Sequence, residues 1–123
     1  SMLVRHDLAY HDYEGVALDL GERERLVADL GTKNNMMLYN HGTMTVGATA
    51  AETFLRMFFL ERACTMQVRA LSAGRDGVIL APEDVQNVVK GQSNPDGTKV
   101  LANRLAWPAL LRKLDRQSPG YDS

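Results

Sequence analysis

The chain has 123 residues, 45% of them hydrophobic and 24% charged, with a formal net charge of −1. That length predicts one domain of ordinary globular composition. Arg and Lys are interspersed with Asp and Glu, which excludes a basic field for nucleic acid or an anionic membrane surface, and no apolar stretch reaches spanning length. The single cysteine, Cys64, excludes an internal disulfide. With no signal-peptide pattern at the N-terminus, it predicts a reducing, cytoplasmic setting.

Ser1-Met2 reads as an expression scar. Leu3 to Gly15 (LVRHDLAYHDYEG) has no clear period and reads as an ordered loop or entering arm. His6 and His11 are five apart, a spacing that neither helix nor strand periodicity places side by side, so packing and solvation are expected rather than a metal pair. Val16-Ala17-Leu18 reads as a brief extended piece. From Gly21 to Leu30 the pattern is helical, with acids in the first turn where the helix dipole favours them. Leu26, Val27 and Leu30 share a side, and Gly31 is placed to stop the helix. The run Glu22-Arg23-Glu24-Arg25 reads as a solvated face.

The richest stretch is Asn35 to Cys64. Met36-Met37-Leu38-Tyr39 has the length and composition of a buried strand. It ends at Asn40-His41-Gly42, and a second short run, Thr43 to Val46, stops at Gly47. Thr49 with Glu52 three residues on forms a capping box, opening a helix over about Ala50 to Ser72. At 100° per residue its apolar side chains surround the axis. Phe54, Met57 and Phe58 point one way, and Leu55, Phe59 and Met66 another. Such a helix must be covered on more than one side, either between a sheet and another helix or at a subunit interface. Glu61 falls within the apolar face and is expected to hold a structural hydrogen bond. Cys64 is expected to be an inert buried thiol.

Ala73 to Ala81 is a connector. Pro82-Glu83-Asp84 opens a helix to about Lys90, stopped by Gly91, and Ser93 to Gly97 is a turn cluster. A last helical region, about Thr98 to Arg116, contains Trp107-Pro108, and Pro there must kink the helix or begin a new one. Leu101, Leu105, Leu110, Leu111 and Leu114 supply its packing face. Two convincing strands are too few for a stable sheet, so part of the fold is expected to lie outside this chain.

Asn40-His41-Gly42, Thr45-Val46-Gly47, Ala51-Glu52, Phe58-Phe59 and Leu60 to Cys64 together resemble the class II aldolase/adducin family. So do Ala9 to Gly15, Glu22 to Leu26, and Trp107 to Arg112. The resemblance implies an α/β fold, a partial three-layer α/β/α domain rich in helix and poor in strands. It identifies residues 3–123 as the C-terminal portion of a single domain about twice this length. It also implies a divalent-metal-dependent carbon–carbon lyase or sugar-phosphate-type enzyme acting on a small carbonyl or sugar-phosphate substrate as a homo-oligomer. His41 is then the third ligand of zinc or another divalent metal. The His-x-His pair that supplies the other ligands is absent here, so the fragment is expected to be inactive and metal-free. No catalytic residue can be matched, although Tyr10 and Tyr121 are positioned as candidates to reach a neighbouring subunit's site. The competing reading is a non-catalytic, adducin-like oligomerisation or protein-interaction module.

Overall fold

The structure, a computed structural model, describes residues 2–15, 20–92 and 94–122. Its centre is a three-stranded sheet in the order β1 (Leu8–His11), β2 (Asn35–Leu38), β3 (Gly42–Thr45). β1 runs parallel to β2, and β2 antiparallel to β3. Parallel neighbours cannot be joined by a tight turn and need a crossover of a dozen or more residues. Helix α2 (Glu22–Leu30) supplies it.

The strand β1 replaces the loop expected over Leu3 to Gly15, which also contains a single helical turn, α1 (Met2–Arg5). Only Ala9 and His11 of β1 are buried while Tyr10 faces out, so a strand of four residues leaves no apolar run to read. The third strand expected at Val16-Ala17-Leu18 lies outside the described residues. Polar groups fix the parallel register where the strands begin. The Asp7 carboxylate accepts from Asn34 N at 2.9 Å and from Asn35 Nδ2 at 3.1 Å, and Asn35 Nδ2 also donates to Asp7 O at 2.8 Å.

β2 and β3 lie within one residue of their expected bounds, joined by Tyr39-Asn40-His41. His41 N donates to Leu38 O at 3.1 Å. Asn40 adopts a φ of 53°, a left-handed conformation that Asn tolerates better than most residues.

Helix α3 (Ala50–Leu71) begins as its sequence predicts, with the Thr49 side chain accepting from Glu52 N at 3.2 Å. The Glu52 carboxylate does not close the expected capping box. It is buried and accepts instead from Asn103 Nδ2 at 3.0 Å. Asn103 lies in a π-helical segment, Leu101–Ala106, between α5 (Pro95–Val100) and α6 (Trp107–Gln117). Trp107 N reaches back five residues to Ala102 O, and Pro108 next to it has no N–H to continue an α-helical ladder. A new α-helix, α6, therefore begins at Trp107-Pro108 with Pro in its first turn, as expected, and the widened π turn precedes it.

The small side chains Ala51 and Ala102 let α3 and the π segment approach closely, with Leu55, Ala106 and Trp107 filling the contact. A 3₁₀ turn, Arg75–Gly77, and α4 (Glu83–Gln92) complete the chain. α4 continues past Gly91, which does not stop it. The expected turn beyond it is the start of α5, where Asn94 caps by accepting from Gly97 N at 2.9 Å.

One side of α3 is covered by the sheet and the π segment. Phe54, Phe58, Phe59, Met66 and Val68 stay exposed. Glu61 is exposed too, not embedded in an apolar face, and accepts from Thr43 Oγ1 at 3.2 Å, a structural bond as expected. No described helix is long and apolar enough to cross a membrane.

Gly47 packs directly on the start of α3. A Cβ there would lie 2.8 Å from Thr53 Oγ1 and 2.9 Å from the Thr53 backbone N. Gly47→Ala is expected to destabilise the chain by about 1–3 kcal/mol in urea unfolding. Thr49→Ala, which removes only the cap, is expected to cost about 1 kcal/mol. A neutral Gly47→Ala would show that the β3–α3 junction is looser than described.

Candidate functional site

Three chain segments meet at one end of the sheet: the C-terminal end of β1, the first turn of α2 and the β2–β3 turn. Between them lies a cleft of about 90 Å³ whose lining includes His11, Tyr13, Glu14, Glu22, Tyr39 and His41. The parallel pairing builds it, because His11 sits opposite Leu38, three residues before His41. The backbone carbonyl of His11 accepts from Tyr39 N at 3.0 Å and ties the two strand ends together.

His41, the residue singled out by sequence, is exposed at the tip of the turn. Its ring stacks loosely on Tyr13, with centroids 6.4 Å apart and planes inclined at 29°. Tyr10 stacks on Tyr39 at 5.7 Å and forms an aromatic wall beside the turn. Tyr121 lies beyond α6, at the far end of the chain; burial, then the charges of Asp115 and Asp122, push its phenol up.

His11, read from sequence as a packing residue, is the other imidazole of the cleft. It is only 4% exposed, and its Nδ1 lies 2.7 Å from Asp29 Oδ2. Its Nε2 is buried, with Glu14 Oε1 and Glu22 Oε1 each 3.8 Å away. Arg25 in turn donates from Nε to Glu14 Oε1 at 2.8 Å. The run Glu22 to Arg25 is thus not only a solvated face. Glu22 and Leu26, at i and i+4, face inward on α2, and Asp29 at i+7 reaches His11 from its exposed edge. Testing that helix for a polar stripe would have found these acids, whereas the apolar triad Leu26, Val27 and Leu30 leaves Val27 exposed.

His6 is not brought to His11. It lines a separate, open polar depression with Arg5, Glu83, Gln86 and Asn87, where Arg5 hydrogen-bonds Gln86. Among the described residues, no three His, Cys, Asp or Glu side chains are arranged to hold a metal ion.

Comparison with known proteins decides the family. Residues 1–68 match the profile of the Class II Aldolase and Adducin N-terminal domain. The chain belongs to the class II aldolase and adducin family. It is 63% identical over 121 residues to a Caulobacter vibrioides protein described provisionally as an aldolase class 2 protein, covering 98% of this chain and 46% of that one. Mouse alpha-adducin is 32% identical over 119 residues, covering 89% of this chain and 16% of the adducin. The crystal structure of an aldolase II superfamily protein from Pseudomonas syringae superposes with a TM-score of 0.84 at 40% identity. It covers 99% of this chain and 48% of that one. The fold is therefore that of the aldolase II superfamily, and the chain spans about half the length of its bacterial relatives. Both the helix-rich α/β architecture and the short sheet agree with the sequence reading.

Cys64 on α3 is half-buried. Burial first, and the charge of Glu61 second, push its thiol up, so little of the reactive thiolate forms near neutral pH. Alkylation of Cys64 by iodoacetamide at pH 8 is expected to be slower than that of an unstructured cysteine peptide, because less of the thiol is ionised. Glu61→Gln removes one cause and is expected to move the pH–rate midpoint downward. A wild-type rate equal to the peptide's would refute this.

Proposed function

We propose that this chain is the C-terminal part of a class II aldolase-like, divalent-metal-dependent carbon–carbon lyase or related sugar-phosphate enzyme. In this reading His41 provides one ligand to zinc or another divalent ion, the substrate is a small carbonyl or sugar phosphate, and the assembly is a cytoplasmic homo-oligomer. The supporting observation is the setting of His41. A hydrogen-bonded turn at the strand ends presents its imidazole at the cleft mouth, and neither ring nitrogen has a hydrogen-bond partner among the described residues.

The fit of a metal to these residues is partial. A neutral imidazole on a rigid hairpin suits a catalytic ion, but such sites use three protein ligands. The described residues do not bring three together. The remaining ligands belong, in this proposal, to polypeptide outside this chain, and no catalytic step is assigned to the chain alone. A bound ion would supply Lewis-acid polarisation of a carbonyl oxygen. The chain's own part is to present the His41 ring at the cleft mouth, through the Asn40 turn and the Tyr13 contact, and to line the cleft with Tyr39, on which Tyr10 stacks.

The second reading, an adducin-like module that keeps the fold without metal chemistry, is favoured by the apolar surface of α3 and by the identity to alpha-adducin. Metal analysis separates the two. The whole protein is expected to purify with about one divalent ion per chain, as a single three-ligand site requires. His41→Ala is expected to release it while changing unfolding free energy by less than about 0.5 kcal/mol, as for an exposed residue. If no divalent metal co-purifies and added zinc leaves Tm unchanged, the adducin-like reading replaces the enzymatic one.

A further inference from the structure

We propose that the buried end of the cleft, beneath the His41 turn, recognises a primary ammonium group through His11, Glu14 and Glu22. The proposal goes beyond the metal reading and does not depend on it, since it invokes no ligand at His41.

A carboxylate only accepts hydrogen bonds, so the 2.7 Å contact between His11 Nδ1 and Asp29 Oδ2 places a ring proton on Nδ1. In the tautomer that carries this single proton, Nε2 is an acceptor. That atom is buried, without a hydrogen-bond partner among the described residues, on a residue 4% exposed that lines the cleft. Glu14 Oε1 and Glu22 Oε1, each 3.8 Å from it, are acceptors as well. Three acceptors thus converge around one small space. A buried acceptor left unmatched costs about 1–3 kcal/mol, and crowding carboxylates beside it adds repulsion.

The chemistry that answers this arrangement must bring donors and positive charge together. An ammonium group carries three N–H donors and a unit charge, enough to reach His11 Nε2 and both carboxylates, of which Glu14 already accepts from Arg25. Water or a hydroxyl brings fewer donors and no charge. Arg25 offsets part of the negative charge but is engaged on Glu14, while Glu22 and Asp29 remain beside the ring. Metal coordination is the weaker match, since these side chains do not stand in ligating positions. A cleft of about 90 Å³ admits a head group of a few atoms. The rest of the ligand would leave past Tyr13 and His41.

The source of the ammonium is either a small free amine or a lysine side chain, and one experiment addresses both. The ¹⁵N resonances of His11 are followed at neutral pH while ethanolamine or Nα-acetyl-lysine methylamide is added, with ethylene glycol and tetramethylammonium as controls. A saturable shift of Nε2 is expected with an amine and not with either control. Saturation by ethanolamine alone marks a small amine, and by the lysine derivative alone a side chain. Glu22→Gln, checked for folding by circular dichroism, is expected to weaken the response about tenfold, the loss of one charge-assisted bond. The proposal is overturned if Nε2 already bears a proton with no amine present, if ethylene glycol gives the same shift, or if neither amine saturates.

Discussion

Helix α3 has apolar side chains around most of its circumference, and this chain covers only part of them. Ala51, Leu55, Leu60 and Ala63 are buried against the sheet and the π segment, whereas Phe54, Phe58, Phe59 and Met66 remain in contact with solvent. Each aromatic ring left half-wet forgoes a large share of the stabilisation that burial supplies. Local contacts soften this: Phe54 meets Trp107 edge-on at 5.7 Å, and the Arg62 guanidinium lies 5.4 Å over Phe58. They do not replace a covering layer. The sheet has the same character, three short strands with one side covered by α3.

The finished side rests on a parallel strand pair. That pairing requires α2 as a crossover, the crossover lays Glu22 and Asp29 against His11, and the register sets His11 beside the turn that carries His41. Two imidazoles thirty positions apart in sequence thus share one cleft. The ring of His41 is exposed and loosely held, while that of His11 is enclosed among carboxylates. The two rings therefore meet the cleft in opposite settings, one open to solvent and one closed off by acids.

Much of this was legible in the residues. The β2–β3 hairpin, the Thr49 cap, the length of α3 and its excess of apolar surface all follow from local pattern and turn chemistry. The family was legible as well, because Asn40-His41-Gly42, Thr45-Val46-Gly47 and the following helix occur at a characteristic spacing. β1 was hidden because four residues with two buried positions give no period to detect, and its strand partner among the described residues lies more than twenty residues away. His11 was hidden with it, since its meaning depends on Asp29 and Glu22 arriving from a helix. The π segment was hidden for another reason: Pro108 declares that the ladder must break, but not that a wider turn absorbs the break.

If the bare face of α3 is an interior surface of a larger assembly, the chain should associate through it. Sedimentation velocity on this chain over a range of concentrations, with a dye that binds exposed apolar surface, tests it most directly. Concentration-dependent association is expected, with dye binding that falls as association proceeds. A folded monomer at every concentration that binds no dye would contradict it.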